Sequence, residues 1–131
     1  MSEENVELLR RAFEHFMQTG EHAWELIDEE VEVHDHDIPD AREYRGHAGW
    51  TSWFEDWGAA WAEQSAEPEE FIDADDEHAM LVLRLYMTGR GSGVKVERQD
   101  AMVAAFHDGK VVRVDWYNNK QQALKAVGLS E

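Results

Sequence analysis

Residues 31–39 read VEVHDHDIP, and the rest of the chain is interpreted around them. Val31 and Val33 alternate with polar neighbours, which is the pattern of a half-buried strand. Pro39 is expected to end the strand, because proline has no N–H to give to a sheet ladder. Alternate residues of a strand share a face, so Asp35 should lie on the apolar side with the two valines. We therefore predict that this strand carries one carboxylate to the edge of an apolar pocket.

The chain before this strand is predicted to be helical. Residues 5–19 place apolar side chains three and four positions apart, which indicates an amphipathic helix. These side chains are Val6, Leu9, Phe13, Phe16 and Met17. Gly20 is suited to end that helix. Residues 22–27 predict a short second helix that leads into the strand.

The chain after the strand is predicted to form a polar loop at 40–46 and a third helix at 47–62. Large aromatic side chains recur along that helix with helical spacing. They are Trp50, Trp53, Phe54, Trp57 and Trp61. Such a stripe is typical of core packing, and it is also compatible with a pocket lined by some of the same rings.

Strand patterns dominate the remainder of the chain. A short, partly irregular strand is predicted at 69–74, and longer strands at 78–90, 94–106 and 111–117. The Gly-rich run 89–93 and Asp108-Gly109 are predicted hairpin turns, and residues 120–127 a final helix. This order predicts an α+β fold: a curled antiparallel or mixed sheet, with helices on its concave side and a cavity between them.

Composition limits the possible functions. The 131 residues are expected to form one domain (1–131), and the absence of cysteine excludes disulfides and thiolate chemistry. A net charge of −17 argues against nucleic acid and anionic membranes as partners. The acidity fits either a solvated shell or a high-salt cytoplasm. The start of the chain lacks signal-peptide features and no apolar run could span a membrane, so we expect a cytoplasmic protein.

Several segments together carry a family pattern. They are 5–13, the strand end at 33–35, 44–46, 54–57 with Trp61, 68–73, 89–93, 108–113 and 122–129. In these segments the chain resembles the SnoaL-like polyketide cyclases of the NTF2-like superfamily, whose members are cone-shaped α+β folds. The resemblance implies a pocket and a homodimer formed through the outer face of the sheet. It does not specify a reaction, since the superfamily includes cyclases, isomerases, hydrolases, dehydratases and non-catalytic binders.

The related ketosteroid isomerases suggest a role for one residue. Their first strand ends in an aspartate that acts as general base, and Asp35 is at the matching position. Their two oxyanion donors correspond to Phe13 and Met102, which cannot donate a useful hydrogen bond. The resemblance therefore argues against steroid isomerisation by that mechanism.

Asp35 is the candidate catalytic residue. Burial beside an apolar pocket disfavours the charged form of a carboxylate, which suits proton abstraction next to a carbonyl group. The alternative is a solvated aspartate that caps the loop after the strand. The candidate ligand-binding residues are Phe13, His34, Trp53, Trp57, Asp100, Met102 and Trp116.

The two polar residues Arg98 and Asp100 share a strand face with Met102. They are predicted either to lie at the rim of the cavity or to form an exposed pair of little energetic value. His34 and His36 share one face of the first strand and, with His47, suggest a metal site. Because a third ligand and its supporting hydrogen bonds cannot be placed, we predict no metal.

Three functions remain open from the sequence. The first is a cofactor-free general acid/base enzyme, of the cyclase or isomerase type, that acts on a small hydrophobic carbonyl compound. The second is a non-catalytic ligand-binding or dimerisation module. The third is a cofactor-free hydrolase or dehydratase. A base together with a separate hydrogen-bond donor in the cavity would favour an enzyme, whereas a single polar group would favour a binder.

Overall fold

The structure is a computed structural model that describes residues 2–36 and 43–129, with Ser2 and Ala60 described by their backbones alone. Its elements follow in chain order. They are α1 (Ser2–Thr19), a 3₁₀ turn (Trp24–Leu26), β1 (Ile27–Asp35), β2 (Glu43–Arg45), α2 (Gly46–Ala60), β3 (Trp61–Asp73), β4 (His78–Gly89), β5 (Lys95–His107), β6 (Lys110–Tyr117) and α3 (Lys120–Ala126). Among these described residues, no helix is long and apolar enough to cross a membrane.

The six strands form one mixed sheet in the order β2-β1-β6-β5-β4-β3. β1 and β6 pair in parallel, and every other neighbouring pair is antiparallel. A parallel pair needs a long crossover connection. Here α2 and the β3-β4-β5 meander supply it, and the crossover places the predicted acid of β1 beside the last strand.

The two faces of the sheet bury different sets of side chains. The inner face, with Leu81, Leu83 and Leu85 of β4, belongs to the core that includes α1 and α2 residues. The outer face, with Met80 and Val82, packs against Ala123 and Leu124 of α3. The alternation of side chains along a strand produces both sets from a single apolar run. α3 therefore lies on the other side of the sheet from α1 and α2.

The boundary between α2 and β3 differs from the sequence prediction. The helix ends at Ala60, and Trp61 is already the first residue of β3, where it pairs with Gly89. The long pairing with β4 overrides the helical spacing of the last tryptophan. Pro68, predicted to precede a short strand, lies inside β3 at a register shift. An edge strand tolerates proline because one of its sides has no ladder to complete.

Smaller differences concern the flanks of β1. The predicted second helix is only a 3₁₀ turn, and β1 begins four residues earlier than the valine alternation indicated, at Ile27. The predicted polar loop contains β2. Pro39 as the end of the strand, and the start of that loop, lie outside the described residues. The Asp108-Gly109 turn is confirmed, since both residues have positive φ angles of 51° and 78°, as a type I′ hairpin requires.

Candidate functional site

A cavity of about 460 Å³ lies between α1, α2 and the inner face of the sheet. Its walls are mostly aliphatic and aromatic side chains. Five of the predicted ligand-binding residues line it: Phe13, Trp53, Trp57, Met102 and Trp116. A largely apolar cavity of this size suits a small hydrophobic molecule.

Asp35 points to the inner side of the sheet, where it is only 1% exposed. Its parity on β1 matches that of Val31 and Val33, as predicted. Trp53 and Trp57 donate their Nε1–H groups to the same carboxylate oxygen, Oδ2, at 2.7 and 3.0 Å. Residues four apart on a helix lie on one face, so α2 presents both indoles to this carboxylate. The carboxylate is therefore buried and held in a fixed orientation.

Asp100 is a second buried carboxylate on the inner face, with no exposed surface. Arg98 binds it through two hydrogen bonds, Nε to Oδ1 at 2.8 Å and Nη2 to Oδ2 at 2.9 Å. Trp116 donates Nε1–H to Oδ2 at 2.7 Å. The alternative of an exposed, weak pair is thus wrong, because the Asp100 carboxylate is fully buried, whereas the Arg98 side chain is 27% exposed.

The two carboxylates belong to one connected group of side chains. The ring of Trp116 lies 5.6 Å from that of Trp53 and 6.0 Å from that of Trp57, between centroids. The guanidinium of Arg98 lies 5.4 Å from the centre of the Trp57 ring. We call this group the carboxylate cluster; its members are Asp35, Trp53, Trp57, Arg98, Asp100 and Trp116. The three indoles line the cavity, whereas the two carboxylates lie behind them.

His34 is not brought to the cavity. It lies on the outer side of β1, where its Nε2–H donates to Glu32 at 3.1 Å and lies 3.7 Å from Glu43. Its prediction as a ligand-binding residue for the cavity is wrong, because residues 34 and 35 face opposite sides of the strand.

Glu32, His34 and Glu43 have ligand atoms within 4.8 Å of one another, a spacing that a metal ion could use. Arg45 lies 3.9 Å from Glu32 and already compensates part of its charge. The pKa of Glu32 is lowered, mainly by the hydrogen bond from His34. This carboxylate is therefore ionised and already has a hydrogen-bond partner. The absence of a metal site stays a prediction.

His22 is a cavity residue that the sequence analysis did not identify. Trp50 donates Nε1–H to its Nδ1 at 3.2 Å, and the imidazole stacks on Phe16 with 4.9 Å between centroids. Burial lowers the pKa of His22 below its ordinary value of 6.5. Apart from Trp24, its aromatic neighbours come from α1 and α2, so the local sequence does not reveal this environment.

Replacing Trp53 by phenylalanine should lower the free energy of unfolding by about 2–4 kcal/mol, because a hydrogen bond to a buried carboxylate and part of a packed ring are lost. Trp50→Phe is the matched control: the same change in the same helix, at a residue that is also buried and donates to a neutral imidazole. We expect the control to lose about 1–2 kcal/mol. Urea unfolding followed by circular dichroism measures both; equal losses would contradict a special role for the Asp35 carboxyl group.

The comparisons with known proteins agree with this architecture. The structure resembles an NTF2-like protein from Burkholderia pseudomallei (17% identity, 95% of this chain and 98% of that chain, TM-score 0.75). It also resembles a SnoaL-like polyketide cyclase from Jannaschia sp. (15%, 98% and 94%, TM-score 0.72) and TerC, crystallised with polyporic acid (15%, 95% and 98%, TM-score 0.73). No curated protein sequence matches the chain.

An open mixed sheet with helices over an apolar cavity defines an α+β protein of the NTF2-like class, as the sequence predicted. The SnoaL-like domain model matches residues 7–114, and the chain therefore belongs to the SnoaL-like family. At the identities found, the structural neighbours show the fold alone.

Proposed function

We propose that the protein binds a small hydrophobic carbonyl compound in its cavity and catalyses a proton transfer on it, without a cofactor, with Asp35 as general base. The observation that supports this most strongly is the burial of the Asp35 carboxylate behind two indole donors that line the apolar cavity. An enzyme of this type needs a base together with a separate hydrogen-bond donor in the cavity. In this proposal Asp35 is the base, and His22, which lines the cavity, is the separate donor.

The proposed reaction balances without any further reagent. The carboxylate of Asp35 takes a proton from the carbon next to the carbonyl group, which leaves an enolate and a carboxylic acid. The acid then returns the proton to the same carbon or to another position of the delocalised anion. The indole donors hold Oδ2, so the orientation of the carboxylate is set before the substrate binds.

The similarity to TerC is consistent with a ligand in this cavity, because that protein was crystallised with polyporic acid. The expected homodimer, the expected absence of a cofactor and the expected cytoplasmic location stay predictions.

A second candidate function is non-catalytic binding. It is favoured by the position of the two carboxylates, which are 1% and 0% exposed behind the indole rings. For catalysis, the substrate has to reach Asp35 past the half-buried ring of Trp57. A binder needs no such movement.

Hydrogen–deuterium exchange separates the two functions. The ketone 2-tetralone, which is bicyclic, apolar and enolisable, is incubated in D₂O with and without the protein, and loss of its α-proton signals is followed by NMR. We expect exchange faster than in buffer alone, together with saturable binding. Binding without any acceleration would support the binder and contradict the enzyme.

A further inference from the structure

The hydrogen-bonding state of His22 can be deduced from its neighbours. An indole N–H can only donate, so the Nδ1 atom that accepts from Trp50 carries no proton. A neutral imidazole has its single proton on the other nitrogen, here Nε2. Burial lowers the pKa of His22, which keeps the ring neutral at neutral pH. Among residues 2–36 and 43–129, the structure shows no hydrogen-bond acceptor for this Nε2–H group.

The His22 ring contacts four aromatic side chains. Phe16 stacks on it, while Phe54, Trp50 and Trp24 meet it at larger angles, with centroids 4.5–6.1 Å away. Because none of these neighbours accepts a hydrogen bond well, a donor is left at the wall of an apolar cavity. The Nε2–H group is not fully buried, and a ligand that enters the cavity could supply the acceptor that the protein does not.

We propose that the Nε2–H group of His22 binds the carbonyl oxygen of the cavity's ligand and thereby selects ketones over hydrocarbons of the same shape. This inference rests on the proposed function, since it assigns a polar contact to the same cavity. It does not require Asp35 to act as a base.

The placement of His22 also limits the shape of the ligand. His22 is bonded to Trp50, whereas Asp35 is bonded to Trp53 and Trp57, further along α2. With a rise of 1.5 Å per residue, the two polar sites lie on the order of 5–10 Å apart along the helix axis. A carbonyl oxygen held by His22 and the carbon next to that carbonyl, in contact with Asp35, would together span a separation of this order.

A neutral donor favours a neutral acceptor. The apolar walls would penalise an anionic ligand, because the imidazole supplies no positive charge to compensate for its desolvation. The ligand class is therefore an uncharged ketone, quinone or similar carbonyl compound, rather than a carboxylate or phosphate.

The test compares two ligands that differ in one group, 2-acetylnaphthalene and 2-ethylnaphthalene. Their affinities are measured by quenching of tryptophan fluorescence and by calorimetry, for the unmodified protein and for His22→Phe. Loss of one hydrogen bond should weaken ketone binding roughly 3- to 10-fold and leave hydrocarbon binding nearly unchanged. His107→Phe is the control, because His107 is an exposed residue at the end of β5 and does not line the cavity.

A second variant shows whether a folding defect, and not the lost hydrogen bond, explains the result for His22→Phe. In His22→Gln the side-chain amide can accept from Trp50 and still donate, so ketone preference should be largely retained. NMR of the imidazole nitrogens gives an independent readout: Nε2 should be protonated in the free protein, and its signal should shift with the ketone but not with the hydrocarbon.

The outcomes separate the two proposals. If the His22 variants weaken both ligands equally, or if Nδ1 carries the proton, the inference about His22 is wrong and the proposed function is untouched. If ketone preference depends on His22 but 2-tetralone shows no exchange, His22 is a ligand-selecting residue and the catalytic proposal fails. If neither naphthalene binds, both proposals are overturned.

Discussion

Replacing Asp35 by asparagine should reduce the protein-catalysed exchange of 2-tetralone by about 10²- to 10⁴-fold, which is the usual contribution of a general base. The amide has nearly the same shape as the carboxylate, and its oxygen can still accept from Trp53 and Trp57. It cannot take up a proton at neutral pH. We therefore expect ligand binding and folding to change much less than the exchange rate, which the NMR assay and thermal unfolding measure in parallel.

Asp115→Asn is the matched control for this prediction. Asp115 lies on β6, beside β1, but it faces the outer side and binds Arg113 and His36. Burial alone would raise the pKa of Asp115, but the hydrogen bonds from these two residues outweigh it and lower the pKa. It is thus an ionised aspartate outside the cavity. Exchange that survives in Asp35→Asn, or falls equally in the control, would rule out Asp35 as the base.

The inward direction of Asp35 follows from local sequence. A strand fixes which residues share a face, so the alternation of Val31 and Val33 suffices to place the carboxylate. The same rule places Arg98 and Asp100 on the face of Met102. It cannot tell whether that pair is buried, because burial depends on Trp116 from another strand and on Trp57 from α2.

Two other features could not be read from the sequence because distant parts of the chain decide them. Trp61 continues the helical spacing of α2, yet pairing with Gly89 makes it the start of a strand. His22 is surrounded by Phe16, Trp50 and Phe54, which are near in space and partly far in sequence. In both cases the structure depends on residues that are distant in sequence. The local sequence pattern therefore cannot predict it.

Replacing Arg98 by methionine should lower the free energy of unfolding by about 3–5 kcal/mol, the typical cost of removing one partner from a buried ion pair. Methionine fills much of the same volume without a charge. Asp100, which has no exposed surface, would keep the hydrogen bond from Trp116 but lose two charge-assisted hydrogen bonds. Urea unfolding at neutral pH measures the loss.

Arg84→Met provides the comparison, since Arg84 is on the neighbouring strand β4 and is also paired, with Glu69 at 3.3 Å and Glu97 at 3.6 Å. All three of these side chains are about one third exposed or more. An exposed pair contributes little, so this variant should lose no more than about 1 kcal/mol.

Adding Asp100→Asn to Arg98→Met should restore part of the stability, because it removes the buried charge left behind. A loss in Arg98→Met no larger than that in Arg84→Met would mean that water reaches the Asp100 carboxylate, and that the carboxylate cluster is more open than its burial indicates.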